Sequence, residues 1–397
     1  MDQALAGLQI LDLTHYIAGP YCTRILAGFG AEVIKVEKPG EGDKARHIGP
    51  FLNDEPGPER SGLFLYLNSN KKGITLNLKS RRGVEIFKEL VKGADAVVES
   101  FKPGVMDRLG LDYSTLERIN PRLVMTSISN FGQTGPYRDY KSPHIITWGM
   151  SGGRYTDGEP GKPPVQGGGS LSEYVAGVFG AGGTAMALFQ GNETSIGQHV
   201  DVSIFECMML IAQYPSVMYS YWGQVHGGLA KNLLGIFSCK DGYIGVNFLT
   251  QLQWESICAF FGSPEVANEP KFRYPVLTVN EDYLDEARTL FAPKIAEYRK
   301  MDLFQSAVEW RIPFGLVPTT QEIVDSPQHK ARGFFEEVDH PVMGKVTMPG
   351  APFKMMETTW QLRSPAPLLG EHNQEIYGDR LGYSREDLVR FREQGII

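Results

Sequence analysis

The sequence predicts an α/β protein of the doubly wound type, with a smaller second domain in the later half of the chain. Three observations support this. Short aliphatic runs alternate with helical segments up to about residue 203, and such alternation is how parallel sheets are built. Glycine and proline fall between the runs rather than inside them. Near residue 225 the pattern changes to a hairpin followed by helices.

Leu8-Gln9-Ile10-Leu11-Asp12-Leu13 is the first predicted strand. Gly19-Pro20 follows, with proline placed for the first turn of a helix. Residues 21–29 continue that helix, and Ala31-Glu32-Val33-Ile34-Lys35-Val36-Glu37 is the second strand. Gly73-Ile74-Thr75-Leu76-Asn77-Leu78 is a strand, Arg82 to Lys92 a helix, and Ala94 to Glu99 and Leu123 to Ser129 two more strands. From Gly152 to Gly169 the abundance of Gly and Pro predicts a long loop. Ser170 opens a helix of small residues reaching about Gln190, Gly197 to Ser203 is a strand, and a helix with Cys207, Met208 and Met209 follows. Gly227, Gly228 and Asn232 suggest a crossing loop, and Cys239 to Val246 has the form of a tight hairpin. Helical patterns between 251 and 308 complete a small domain, read as 226–325. Ala351-Pro352-Phe353 and Pro367 to His372 read as extended chain, and the tail closes on a helix from Arg385 to Glu393.

Composition narrows the function classes. Hydrophobic residues make up 42% and charged residues 21% of the chain, which excludes disorder on the scale of the whole molecule. No run approaches the roughly 18 apolar residues of a membrane span, and Asp2 with no basic flank argues against a signal peptide. The four cysteines, Cys22, Cys207, Cys239 and Cys258, are widely spaced, so a disulfide framework is not expected and a cytoplasmic location is. The net charge of −7 argues against nucleic-acid binding. Residues 1–110 nonetheless hold 15 Lys and Arg against 14 Asp and Glu, so the negative charge lies in the rest of the chain. An anionic small molecule is better received by the N-terminal part.

The chain has neither an HExxH pair nor a GxxxxGK[ST] phosphate loop, and only Ala18-Gly19-Pro20 follows the first strand where a dinucleotide site has GxGxxG. No metal site is expected. One segment stands out: Gly167-Gly168-Gly169-Ser170-Leu171-Ser172-Glu173-Tyr174-Val175-Ala176-Gly177 puts a carboxylate after a glycine run at a helix start. Two readings compete. Ser170 and Glu173 have capping-box spacing, which would spend the carboxylate on backbone. Alternatively, the helix N-terminus and the glycine amides supply positive potential to a reactive carboxylate and to an oxyanion.

An ordered set of segments extends over nearly the whole chain: Gly7 to Thr14, Ala18-Gly19-Pro20, Gly30 to Glu37, Gly42-Asp43, Asn70-Lys71-Lys72, Phe101-Lys102-Pro103-Gly104, Gly197 to Val202, Gly350 to Phe353 and Leu368 to His372. In this order they resemble the class III CoA-transferases of the CaiB–BaiF type, which include formyl-CoA:oxalate and carnitine CoA-transferases. The resemblance implies a Rossmann-like large domain built from both chain ends (1–225 and 326–397), a small α+β domain between them, and two interlocked chains. It implies a transferase that moves CoA from an acyl-CoA to a free carboxylic acid through enzyme anhydride and enzyme–CoA thioester intermediates. Acyl-CoA is then a substrate, no cofactor is tightly bound, and the partner is a second copy or a homologous chain.

By the same resemblance the nucleophile is Glu173, where the family usually has aspartate. The extra methylene adds about 1.5 Å of reach. His15 matches the residue near the thiol end of CoA, and Ile17 a backbone contact. Lys38 stands where an arginine often meets the adenosine phosphate, and Leu76, Asn77 and Lys79 match a strand edge at the adenine. Ser100, Phe101 and Lys102 match the turn after the strand ending at Glu99, and Arg108 matches a phosphate-binding arginine. His144, near the position of a racemase histidine, lines the acyl pocket, moves a proton or is structural; Trp148, Met150 and Tyr174 are further pocket candidates. Gly227, Gly228 and Gly235 are the candidates for a glycine lid, and no four-glycine run is present. The rival functions are an α-methylacyl-CoA racemase-like isomerase using His144 and Glu173, a non-catalytic CoA-binding subunit, and a nicotinamide oxidoreductase.

Overall fold

Six parallel strands form the central sheet of the computed structural model, which describes residues 3–152, 163, 167–211, 214–223, 225, 233–274 and 280–397. The strands are β1 (Gln9–Leu13), β2 (Glu32–Glu37), β3 (Lys71–Thr75), β4 (Ala96–Glu99), β5 (Val124–Ser129) and β6 (His199–Ser203). Their spatial order is β3-β2-β1-β4-β5-β6. The chain therefore winds outward from β1 in one direction and from β4 in the other. The crevice beyond the C-terminal ends of β1 and β4 is the switch point, where open α/β sheets bind ligands.

Alternation along the strands divides the side chains between two helical layers. Ile10, Val33, Ala96, Val98, Val124 and Ile128 meet α1 (Ala18–Gly28) and α7 (Leu171–Thr194). Leu11, Ile34, Ile74, Val97 and Met125 meet α3 (Arg81–Val91) and the returning chain end, including Leu388, Phe391, Ile396 and Ile397. Shorter helices complete this unit: α2 (Gly62–Asn68), α4 (Val105–Leu109), α5 (Tyr113–Glu117), α6 (His144–Met150), α8 (Ile204–Ile211) and α9 (Tyr214–Trp222).

The chain divides into two compact units. One holds Met1–Arg154, Val165–Gly223 and Gly333–Ile397; the other holds Tyr155–Pro164 and Gln224–Arg332. In the second unit β7 (Leu233–Cys239), β8 (Gly242–Asn247) and β9 (Phe314–Val317) form an antiparallel sheet in that order. Helices Gln251–Phe260, Glu281–Ala296 and Lys300–Glu309 supply Trp254, Phe291 and Leu303 to its core.

The strand expected at Gly73 to Leu78 is corrected to Lys71–Thr75. Beyond Leu76 the chain turns, because the Asn77 N–H donates to the Ile396 carbonyl at 2.8 Å and its own carbonyl receives Ser80. The sequence reading did not include α2, α6 or the hairpin of β10 (Phe335–His340) and β11 (Gly344–Pro349). Most of the expected Gly152–Gly169 loop, and Gly227, Gly228 and Asn232, lie outside the described residues.

Candidate active site

A buried lattice of charges shapes the turn between β1 and α1. The Asp12 carboxylate accepts the Thr14 N–H at 2.9 Å and hydroxyl hydrogens from Thr14 and Thr23, and pairs with Lys71 at 2.9 Å. Burial alone would raise the Asp12 carboxyl, but Lys35 and Lys71 outweigh it and hold the group down at about 2. Burial in turn pulls the Lys71 ammonium down to about 8, although Asp12 opposes this. Asp43 also lies well below the usual carboxylate range: burial works against ionisation, and Lys35, 2.8 Å away, overcomes it. Asp43 Oδ1 then accepts the Tyr16 N–H at 3.1 Å, and Ser100 Oγ accepts the His15 N–H at 2.9 Å. Tyr16 is held with φ at +66°, a left-handed conformation costly for a side chain of this size. Fixed charges beneath the turn offset that cost and present His15, Tyr16 and Ile17 at the switch point.

A cavity of about 570 Å³ opens there. His15 and Ile17 line it from the first turn, Ser100, Phe101 and Lys102 from the turn after β4, and Ser129 from the end of β5. Glu99, at the end of β4, accepts the Phe101 N–H at 2.7 Å and so sets the Phe101 turn. Burial, reinforced by Asp201 and Asp107, pushes the Glu99 carboxyl up to about 7 against the hydrogen bonds from Ser127 and Phe101.

Glu173 reaches the same cavity from the first turn of α7. Small residues allow this approach. A Cβ on Gly177 would lie 2.7 Å from the Ala18 carbonyl oxygen, and one on Gly180 would lie 2.9 Å from Ile128. The start of α7 can thus lie directly against α1. The capping-box reading of Glu173 is not realised, because Ser170, with ψ at 51°, makes no side-chain cap bond. Instead Ser172 Oγ donates to Glu173 Oε2 at 2.8 Å, and His144 Nδ1 lies 3.1 Å from the same oxygen. His144 Nδ1 is also 2.5 Å from Ser172 Oγ. His144 Nε2 is buried without a partner among the described residues. The N-terminus of a 24-residue helix adds positive potential at the carboxylate.

Of the residues singled out by sequence, His15, Ile17, Ser100, Phe101, Lys102, His144 and Glu173 come together around this cavity. Others do not line it. Lys38 pairs with Glu41 at the surface. The Leu76 side chain is buried in the core against α3 and the chain end. Asn77 donates to the Gly395 carbonyl at 3.2 Å and accepts the Lys79 N–H at 3.1 Å, so both serve the turn after β3. Trp148 packs its buried ring edge-on against His144, with centroids 5.4 Å apart, and Tyr174 packs on Tyr21 at 4.9 Å. Neither side chain lines this cavity. A residue next to Glu173 on a helix points about 100° away from it. Arg108 lies outside the lining, yet its Nη1 and the Nη2 of Arg138 both flank Gly104, and Arg138 does line the cavity. Ser172, Ser129 and Arg138 were not singled out by sequence. The only available signal was the adjacency of Ser172 to Glu173.

Among the described residues no group of three or more His, Cys, Asp or Glu is arranged to hold a metal ion. No described helix is long and apolar enough to cross a membrane.

Comparison with known proteins bears on this geometry. The family described as CoA-transferase family III matches residues 5–373. A formyl-CoA:oxalate CoA-transferase of Streptomyces avermitilis is 32% identical over 421 residues, covering 100% of both chains. The succinyl-CoA:(R)-benzylsuccinate CoA-transferase subunit BbsE of Thauera aromatica is 31% identical over 409 residues, covering 100% of this chain and 99% of the relative. Among solved structures, a CaiB/BaiF family protein from Brucella suis superposes with a TM-score of 0.85 at 28% identity, covering 96% of this chain and 100% of the other.

Proposed function

This chain belongs to CoA-transferase family III, and on that premise we propose a mechanism in which Glu173 carries the acyl group and then CoA. The activity is transfer of CoA from an acyl-CoA to a free carboxylate. The observation that carries the mechanism is that Glu173, freed from helix capping, lines the switch-point cavity with its carboxylate held from one side.

The Glu173 carboxylate attacks the thioester carbonyl, the carbon–sulfur bond breaks, and an anhydride and CoA thiolate result. The thiolate attacks the glutamyl carbonyl and expels the donor acid, leaving a glutamyl-CoA thioester. The acceptor carboxylate attacks that thioester and re-forms an anhydride and thiolate. The thiolate then attacks the acceptor acyl carbon, giving the new acyl-CoA and restoring the Glu173 carboxylate. No net proton is consumed.

His15, Ile17, Ser100, Phe101 and Lys102 hold the pantetheine arm, with Lys102, Arg138 and Arg108 turned to the phosphates. Lys38 remains a surface cation for the adenosine phosphate, and Lys79 a residue of the strand edge at the adenine. The isomerase reading has less support. Two acid/base groups acting on opposite faces of an α-carbon need that carbon between them, and His144 Nδ1 is 3.1 Å from Glu173 Oε2.

The large unit binds CoA, and the enzyme works in the cytoplasm as an interlocked homodimer. Exposed Phe179, Met186 and Phe189 on α7, Leu210 on α8 and Tyr221 on α9 are apolar surface of the kind that a second chain covers. The relative named as a subunit makes a homologous partner the alternative.

The test is an exchange assay. Protein is incubated with acyl-CoA donors and free acids, and new acyl-CoA is followed by chromatography. Wild type produces it and Glu173→Gln does not. Equal turnover by the variant would exclude Glu173 as the nucleophile. Activity that appears only on co-expression with a homologous chain would replace the homodimer by a heteromer.

A further inference from the structure

We infer that Ser172 Oγ–H, held and polarised by His144 Nδ1–H, stabilises the oxyanion of the glutamyl carbonyl, with Glu173 Oε2 as the carbonyl oxygen and Oε1 as the attacking one. This rests on Glu173 being the nucleophile. The hydrogen positions follow from counting donors. Thr147 Oγ1 donates to the His144 carbonyl at 3.0 Å, so its hydrogen is committed. Ser172 Oγ has one hydrogen and three neighbours: Glu173 Oε2 at 2.8 Å, His144 Nδ1 at 2.5 Å and Thr147 Oγ1 at 3.2 Å. An ionised carboxylate can only accept, so the serine hydrogen goes to Oε2. The 2.5 Å contact then requires the hydrogen on Nδ1, which donates it to Ser172 Oγ and sets the imidazole edge 3.1 Å from Oε2. The opposite tautomer would set a nitrogen lone pair against a carboxylate oxygen and leave that oxygen without the serine donor.

Oε2 therefore receives the serine hydroxyl at 2.8 Å, the range in which donors stabilise an oxyanion, and that hydroxyl is in turn polarised by the imidazole N–H on Ser172 Oγ. When the thiolate attacks the glutamyl carbon, the carbonyl electron pair moves onto Oε2, and it returns as the Cδ–Oε1 bond breaks and the donor acid leaves. Attack by the acceptor carboxylate on the thioester loads the same oxygen again, with CoA thiolate as the leaving group. Ser172 is fully buried, so its hydroxyl is desolvated and already oriented before the charge develops.

Four single variants test the pair. Ser172→Ala removes the donor at Oε2, and His144→Gln removes the imidazole N–H that holds that donor. Ser172→Thr keeps a hydroxyl, and His144→Asn keeps an N–H near the Nδ1 position. The first two are expected to lose about a hundredfold in kcat, with KM for acyl-CoA changed by less than about threefold. The latter two are expected to recover most of that loss. Thermal melting and CoA titration confirm that each variant is folded and binds. If folded Ser172→Ala and His144→Gln turn over at the wild-type rate while wild type still labels Glu173, the pair has no such role and the nucleophile stands. If wild type never labels Glu173, the mechanism and this inference fall together. Ser172→Thr as impaired as Ser172→Ala, in a folded protein, would also overturn it.

Discussion

Glu173 illustrates how a single side chain can satisfy two sequence patterns. Its spacing from Ser170 fits a capping box, and its place after a glycine run fits a reactive carboxylate. What decides between them is the Ser170 backbone, with ψ at 51°, and the reach of Glu173 to Ser172 and His144. The His144 contact was not legible in the sequence, because it depends on where α6 is brought by tertiary packing. The longer side chain fits this site. Glu173→Asp, the residue more usual in the family, withdraws the carboxylate by about 1.5 Å and is expected to lower kcat by about tenfold to a hundredfold. A steady-state rate for that variant equal to wild type would show that the reach does not matter. Glu99 supplies a prediction for pH. Its proton is held up to about 7 in the folded chain, against 4.5 ordinarily. Stability from this group is complete below about pH 4.5 and lost as the pH rises through 7. Glu99→Gln removes that loss, so the variant should gain about 2 kcal/mol over wild type at pH 8 relative to pH 5. Denaturant melts at the two pH values measure it, and equal differences would refute it.

At the scale of elements, the strands around the switch point were legible because alternation and punctuation agree there. β1, β2, β4 and β5 fall within two residues of their expected bounds. Short elements were not legible: α6 spans seven residues after Pro143, too few for periodicity to register. Tyr174 and Trp148 stand outside the lining of the cavity for a related reason, since nearness in sequence says little about which helix face a side chain occupies. The contact of α1 with α7 is what brings Glu173 to the turn, and its small residues are structural requirements. Gly177→Ala places a methyl 2.7 Å from the Ala18 carbonyl. It is expected to cost about 1–3 kcal/mol and to lower activity by moving Glu173. A thermal melt and a rate assay check both, and unchanged values would mean that the helices can separate at no cost.

At the scale of the whole molecule, the N-terminal sheet depends on the far end of the chain. Leu388, Phe391, Ile396 and Ile397 are buried against the layer containing α3, and the Ile396 carbonyl accepts the Asn77 N–H. The tail helix was legible from sequence alone, but its packing site was not; only the family resemblance implied that the chain end rejoins the large domain. Burying an apolar side chain of this kind is worth about 1.5–3 kcal/mol, and four of them approach the whole stability of a typical domain. A chain ending at Gly382 should therefore show no cooperative unfolding transition by near-ultraviolet circular dichroism. A transition at the wild-type temperature would show that the tail only decorates the surface.

The most direct test of the central claim is chemical trapping at Glu173. Protein incubated with acyl-CoA donors is treated with hydroxylamine and peptide-mapped by mass spectrometry. The account predicts a hydroxamate on Glu173, formed only when acyl-CoA is present. An unmodified Glu173 with every donor, in protein that still binds CoA, would contradict it.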